Sequence, residues 1–345
     1  MTACVLMCVY NEKPALLLAA AESILQQSFR DFEFLIIDDG STDPRTLAAE
    51  KHIAQQDCRV RVHCEPHRGL TSSLNRGLEF TEDEYVFRQD SDDWSDPRRL
   101  SEQVGFLDGH PDVDLLGTGY WLLRQDGTVL WPVQPPTVHE EILEALQVEN
   151  PFCHGSVCIR RRALVATGGY RERFRCCQDY DLFWRIAEHS RVGNLPQALY
   201  HYRCTGKSVS ATSADEQLRT RRIIKLLASA RARGRQEYET SALALIANEF
   251  SDSDRNPLGT LQRGDCNVLA GDYCQAWRLY CRAIQRNPGS AVCWLKLLRM
   301  CIFACFPPTR EWLFRPSRLS RCLSGRDTPG SNRKSGEPCL LPKPE

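Results

Sequence analysis

The segment Tyr85 to Arg99 sets three carboxylates close together, since Asp90, Asp92 and Asp93 fall within four residues directly after a run that reads as a β-strand. Two like charges ~4 Å apart repel by about 4 kcal/mol at an effective dielectric near 20, so such a cluster calls for a counter-charge. Asp90-Ser91-Asp92 is therefore a metal-site candidate. A hard dication such as Mg²⁺ or Mn²⁺ takes oxygen ligands and commonly binds through one or two carboxylates plus the phosphates of a substrate. Asp96 before Pro97 reads as a helix cap, but a cap uses one carboxylate and leaves the earlier ones unexplained. A second acidic pair, Asp38-Asp39, ends an apolar run and precedes Gly40, where the backbone can turn sharply. Ser41, Thr42 and Asp43 suit a cap for a helix opening at Pro44. The two acids before them suit a hydrogen bond from a nucleobase imide or a ribose hydroxyl.

The elements that must position these groups alternate in type. Val5 to Val9 reads as a strand, Pro14 to Gln27 as a helix, Phe32 to Asp38 as a strand and Pro44 to Gln56 as a helix. Val60 to His63, a helix over Leu70 to Phe80 and strand Tyr85 to Arg88 continue the series. This βαβα order predicts an α/β domain, a buried parallel sheet with helices on both faces. Ligands of such sheets bind at the carboxyl ends of the strands, and polar residues stand there three times: Tyr10-Asn11-Glu12, Asp38 to Ser41, and the Asp90 cluster. Three convergent loops imply one cleft.

Composition sets broad limits. The chain has 345 residues, enough for a core of ordinary size plus an appendage, and 44 acidic against 44 basic residues exclude a generic polyanion binder, so no nucleic-acid partner is expected. Met1 to Asn11 reads straight into a strand, so no leader is expected and the 17 cysteines are expected to be reduced. No C-x-x-C pair occurs, and Cys4, Cys8, Cys158 and Cys293 sit in apolar runs as small buried hydrophobes. Cys176-Cys177 lies beside a catalytic candidate and reads as packing.

Four segments match a family. Val9-Tyr10-Asn11-Glu12, Ile36 through Asp39-Gly40 to Asp43, Gly69 through Asn75 to Gly77, and Arg88-Gln89-Asp90-Ser91-Asp92-Asp93 resemble glycosyltransferase family 2 in order and spacing, over about residues 3 to 210. The resemblance implies a GT-A fold, Rossmann-like, and inverting transfer from a UDP- or dTDP-sugar with Mn²⁺ or Mg²⁺ bridging the diphosphate and no covalent intermediate. By position, Tyr10 and Asp39 resemble the base-recognition pair, Glu12 belongs to the donor-binding set, Asp90 stands near the ribose and Asp92 is the metal ligand. Asn150 to Ser156 and the Gly168-Gly169-Tyr170 turn resemble the acceptor-side loops, which places His154 and Tyr170 by the acceptor. Asp179 is the general base implied, with a helix-capping role beside it and Asp181 as the fallback; Gln178 departs from the acid that usually precedes the base. His201-Tyr202-Arg203 with Ser208 and Ser210 resembles a segment that closes over the diphosphate, where Arg203 and Lys207 would offset charge. The implied acceptor is a saccharide or lipid-linked saccharide. The implied setting is surface polysaccharide or lipopolysaccharide synthesis in the cytoplasm, at the inner face of the membrane.

The domains expected are 1–212 for catalysis, 213–306 as a small α-helical C-terminal region, and 307–345 as a tail. Gln217 to Gln236 carries Arg219, Arg221, Arg222, Lys225, Arg231, Arg233 and Arg235 between apolar residues, a basic amphipathic helix suited either to an anionic bilayer or to packing on its own domain. Gly271, Tyr273, Ala276, Tyr280, Ala283 and Pro288 have the spacing of the second half of a tetratricopeptide repeat. Trp294 to Phe306 is apolar but interrupted by Lys296 and Arg299 and well short of the roughly 20 residues that span a bilayer, which leaves peripheral attachment open. From residue 307 on there are eight Lys/Arg and four Asp/Glu, 8 − 4 = +4, with the composition of a disordered tail. Two other functions compete. A nucleotidyltransferase would need a glycine- and lysine-rich entry loop where Tyr10-Asn11-Glu12 stands. A nonenzymatic interaction protein built on a decayed transferase domain would have lost the carboxylates, and Asp39, Asp90, Asp92 and Asp179 are all present.

Overall fold

The computed structural model describes residues 3–206, 212–234 and 257–305. Strand β1 (Ala3–Val9) is buried at every position, as an apolar run covered on both faces must be. It lies between β2 (Glu33–Asp38) and β4 (Tyr85–Asp90), with β3 (Val60–Cys64) outside β2, all parallel. Val9 pairs with Asp38 and Cys8 with Asp90, so the carboxyl ends are level and the three polar loops emerge at one edge.

Helices α1 (Pro14–Leu25), α2 (Pro44–Gln56) and α3 (Leu70–Glu79) fall where the sequence puts them, α1 and α3 ending one or two residues early. Asp43 caps α2 by accepting the Arg45 N–H at 2.9 Å. Asp96 does not start α4 (Arg99–Gly109) at Pro97. Its carboxylate accepts the Arg98 N–H at 2.9 Å in a turn, and the helix opens after it.

Past β4 the sheet is mixed, which the βαβα alternation did not foretell. Strand β5 (Trp94–Ser95) is only two residues, and β6 (Val113–Leu123), β7 (Val129–Val133), β8 (Cys158–Arg160) and β9 (Arg191–Arg203) follow. Their order is β3-β2-β1-β4-β8-β6-β9-β5, with β7 on β6, and β8 runs antiparallel to both β4 and β6. Hence the turn that leads into β8, and the later part of β9, come up against the acidic turn. On one face Val5, Met7, Phe34 and Ile36 pack with Leu17, Ile24 and Leu100. On the other, Leu6, Leu35 and Ile37 pack with Leu74 and with Phe183 and Ile186 of α7 (Gln178–Ala187). Each such side chain contributes about 1.5–3 kcal/mol on burial. Cys4, Cys8, Cys158 and Cys293 are free and buried, as their apolar runs suggest.

Helices α5 (His139–Leu146) and α6 (Arg161–Thr167) precede α7. The basic helix is α8 (Ala214–Ala232), and its apolar residues Ile223, Ile224, Leu227 and Ala228 join the core beside α7. Arg231 grips Glu188 at 2.6 and 2.8 Å, and Lys225 donates to the Val148 carbonyl at 2.8 Å. The apolar face of α8 is thus taken up by its own protein and not free for a bilayer. Beyond it, α9 (Pro257–Ala270), α10 (Tyr273–Arg286) and α11 (Ala291–Cys305) pack in sequence. Asp272 caps α10 at the Gln275 N–H, 2.9 Å, and α10 stops before Asn287-Pro288, as the repeat-like spacing predicts. Arg263 reaches Asp215 at 2.7 Å, tying α9 to α8. The described residues, all within 3–305, form one compact unit. Lys207, Ser208, Ser210, Arg235 and the tail 307–345 lie outside the described residues.

One acid in the fold is costly. Glu50 on α2 is 2 % exposed, its Oε1 has no partner, and burial together with the nearby Asp38 pushes its carboxyl up to about 7. Below pH ~4.5 both folded and unfolded chains hold the proton; between ~4.5 and ~7 only the folded chain does, so stability falls as pH rises and then levels off. Glu50→Gln should therefore be stabilised relative to the unmodified protein by about 2 kcal/mol at pH 8 and by little at pH 4.5. Urea melts at the two pH values read the difference.

Candidate active site

The first two loops are fastened to each other by Asn11. It sits at φ 49°, a left-handed conformation asparagine tolerates, and its Oδ1 accepts the N–H groups of Thr42 and Asp43 at 2.8 and 2.9 Å while its own N–H donates to Ser41 Oγ. The role missed in the sequence was this local one. Asp38 Oδ1 accepts the Ser41 N–H at 2.9 Å. Asp39 is 3 % exposed, and its two oxygens accept the Arg68 and Gly69 N–H groups at 2.8 and 2.9 Å. Gly69 has φ +92°, which favours glycine. His67 closes this corner with Nδ1 2.9 Å from Asp39 Oδ2 and its ring stacked on Tyr10, centroids 4.0 Å apart at 21°. Tyr10 and His67 make a half-exposed aromatic lip beside a carboxylate, a suitable rim for a planar base.

The acidic turn after β4 is held in part by groups that sequence reading did not single out, Arg99 and Tyr200. Arg88, buried, donates Nη2 to Asp90 Oδ1 at 2.6 Å. Arg99, fully buried, donates Nη1 to the carbonyls of Arg88 and Gly155 at 3.0 and 2.9 Å and lies over the Tyr200 ring. The Tyr200 hydroxyl accepts the Asp90 N–H at 3.1 Å. Asp93 is 3 % exposed and accepts the Arg203 N–H on Oδ1 at 2.7 Å; burial, then Asp92 and Asp90, raises its carboxyl far above the usual range, and its Oδ2 has no partner. Asp92 is pushed up to about 7 by burial, then by Asp90 and Glu12. Arg203 donates Nε to the Asp92 carbonyl at 3.0 Å and reaches the Gln125 carbonyl, so it braces the turn as well as standing beside it. Glu12, Asp90 and Asp92 thus form one negative corner with a single cation paired to Asp90. Among the described residues no three His, Cys, Asp or Glu side chains are already arranged as a metal cage. The corner suits a dication that brings its remaining oxygens with it.

The acceptor-side residues converge on the same edge. The turn at His154–Ser156 lies under the acidic loop, and a Cβ on Gly155 would stand 1.9 Å from the Tyr200 hydroxyl and 2.8 Å from Asp90 Oδ2. His154 Nε2 is 3.0 Å from the Tyr170 hydroxyl, and burial lowers the histidine's pKa against an opposing pull from Asp179 and Asp90. Asn75 fixes the Tyr170 turn from both sides, accepting its N–H at 2.9 Å and donating to its carbonyl at 2.8 Å. Asp179 lies in the first turn of α7, but Cys177, in the left-handed region, is the cap residue, and Asp179 Oδ2 instead accepts Asn150 Nδ2 at 2.7 Å. Asp179 therefore makes no capping hydrogen bond, though its place in the first turn suits the helix dipole. Asp181, the fallback, is fully buried and bound to Arg185 at 2.8 Å and Arg171 at 3.4 Å, so it is structural.

Comparisons with known proteins bear on the family and the fold. The family described as Glycosyl transferase family 2 matches residues 4–169. EpsE of Bacillus subtilis (strain 168), itself named a candidate glycosyltransferase, is 35 % identical over 203 residues, 58 % of this chain and 72 % of that one. The O-antigen biosynthesis glycosyltransferase WbnJ of Escherichia coli is 30 % identical over 195 residues, 56 % of this chain and 76 % of that one. Among solved structures, S. aureus TarS residues 1–349 in complex with UDP superposes with a TM-score of 0.53 at 18 % identity, covering 87 % of this chain and 89 % of that one. The fold is the GT-A fold followed by helices, as the sequence resemblance implied.

The Gly155 contact yields a test. Gly155→Ala forces the acidic loop and Tyr200 apart, so unfolding free energy should drop by about 1–3 kcal/mol, as overpacked positions do. Denaturant unfolding measures it, and an unchanged midpoint would show that the loop does not depend on this close approach.

Proposed function

The chain belongs to glycosyl transferase family 2 and is a transferase, and we propose that it moves a sugar with inversion from a UDP- or dTDP-sugar to a hydroxyl of a saccharide or lipid-linked saccharide. The observation that carries the reading is the convergence of Tyr10, Asp39, the Asp90–Asp92 corner and Asp179 at one edge of the sheet. The setting we infer is surface polysaccharide or O-antigen assembly on the cytoplasmic side of the membrane. The relative named above for O-antigen biosynthesis, WbnJ of Escherichia coli, supports that setting.

In this reading the base lies against the Tyr10–His67 lip with Asp39 beside it, and Asp90 faces the ribose. Asp92, with Asp90 and Glu12 near it, would hold Mn²⁺ or Mg²⁺; the buried, mutually repelling carboxylates fit such an ion. When bound, the ion neutralises charge on the departing nucleoside diphosphate. Arg203 keeps the turn in place through its contact with the Asp92 carbonyl. Across the cleft, Asn150 holds the Asp179 carboxylate by one oxygen at 2.7 Å, leaving the other for the acceptor proton. The acceptor hydroxyl acidifies as its oxygen bonds to the anomeric carbon, so a carboxylate suffices as base late in a concerted displacement. His154 and Tyr170, hydrogen-bonded to each other, line the acceptor side.

Asp179→Asn keeps size but cannot take the proton. Turnover should fall roughly 10²- to 10⁴-fold, with donor affinity nearly unchanged. Near-normal turnover, or a product that retains the donor's anomeric configuration, would sink the assignment. Asp92→Ala tests the other half: calorimetric titration with UDP or dTDP should show affinity that rises with Mn²⁺ in the unmodified protein and loses that dependence in the variant. Thermal-shift screening against UDP-, GDP- and dTDP-sugars identifies the donor, because a ligand of the folded state raises apparent stability.

A further inference from the structure

Helix α11 presents an apolar face that nothing in the described structure covers. Trp294, Leu295, Leu298 and Ile302 are 52, 51, 58 and 40 % exposed. At about 100° per residue they fall within an arc of roughly 100°, while Cys293 and Met300 on the other side are buried against α10. Scattered apolar side chains are normal at a surface, but four on one arc are a patch. The patch runs on into a groove of about 460 Å³ lined by Tyr273, Trp277, Met300, Cys301 and Ala304, with Arg278 at its edge. Cys301 links the two, one residue from Ile302 and two turns on from Trp294.

We propose that this face of α11 seats the protein on an anionic lipid surface, the helix lying in the plane of the bilayer. The inference goes beyond the transfer reaction and does not depend on it. The four side chains leave on the order of 400 Å² open before the adjoining groove is counted, and a second copy of the chain on this face is the competing occupant that the test below separates. Length argues against spanning, because α11 has 15 residues, about 22 Å of helix, and no helix among the described residues is long and apolar enough to cross a membrane. Charge argues for anionic lipid. Helix α11 has no acid, its Lys296 being paired with Asp265 of α9, while Arg278, Arg282 and Arg286 on α10 are exposed and the sequence after residue 306 adds a net +4. The indole N–H of Trp294 already donates to the Pro288 carbonyl at 3.0 Å, so its ring can enter the headgroup region without stranding a donor. Interfacial helices combine these features, apolar arc inward and basic flanks toward anionic headgroups.

The test is flotation of the full chain, without nucleotide or acceptor, on phosphatidylcholine vesicles with and without phosphatidylglycerol. The unmodified protein should float with the anionic vesicles at low salt and far less at high salt. Leu295→Glu/Leu298→Glu, at exposed positions that leave circular dichroism and thermal melting unchanged, should lower partition about tenfold or more despite an intact basic tail. Equal flotation of the double variant overturns the proposal, since charge alone would then suffice. So does an unmodified protein that stays unfloated, or one that sediments as a dimer which the double variant dissociates. Because no substrate is present, failure here leaves the transferase reading untouched, and loss of turnover in Asp179→Asn leaves this one untouched.

Discussion

The need to keep Asp90, Asp92 and Asp93 together in a buried turn governs much of this molecule. Such a turn is unstable unless cations and N–H groups are brought to it, and each comes from a different part of the chain. Arg88 pairs with Asp90 from within β4, Arg99 at the start of α4 pins the carbonyls around it, and Tyr200 and Arg203 on β9 accept and donate from below. The mixed half of the sheet follows from this. An antiparallel β8 beside β4 starts level with the carboxyl end of β4, so the turn before it brings Gly155 to the acidic loop, and β9 brings Tyr200 and Arg203.

Much of the first half was legible because its signals are local. Apolar runs bounded by Gly, Pro and Asp gave β1 to β4 and α1 to α3 within a residue or two, and the level ends of parallel strands made the convergence of three loops a geometric consequence. What could not be read is pairing over long sequence distance. Nothing near Arg99 in the chain shows that it will meet Gly155, 56 residues away, nor does anything near Asn150 point to Asp179, 29 residues on. Asp96 and Asp179 show a related limit, since an acid near a helix start scores as a cap whether or not its carboxylate finds the helix. Asp43 does cap; Asp96 makes a turn before α4, and Asp179 turns to Asn150.

Two acids two residues apart on α7 illustrate how burial divides labour. Asp181 is fully enclosed and neutralised by Arg185 and Arg171, so removing either partner would strand a charge in the core. Asp179 has one neutral amide donor on one oxygen and, among the described residues, no ion pair with Lys or Arg. A base needs its charge uncommitted, and a strut needs it cancelled. The role proposed for Asp179 and the structural one of Asp181 are thus compatible on one helix, because a spacing of two residues turns the two carboxylates to different sides.

The C-terminal helices obey the same logic at lower polarity. Helix α8 looked in sequence like a surface-binding element, yet its apolar side chains are spent on α7, and Arg231 is committed to Glu188. The open apolar area is instead carried by α11, which has nothing following it among the described residues to pack against. A helix added to a stack always leaves its outer face for the next element. Where that face is polar the stack is finished, and where it holds two leucines, an isoleucine and a tryptophan, the exposed apolar area persists as a driving force for whatever excludes water from it.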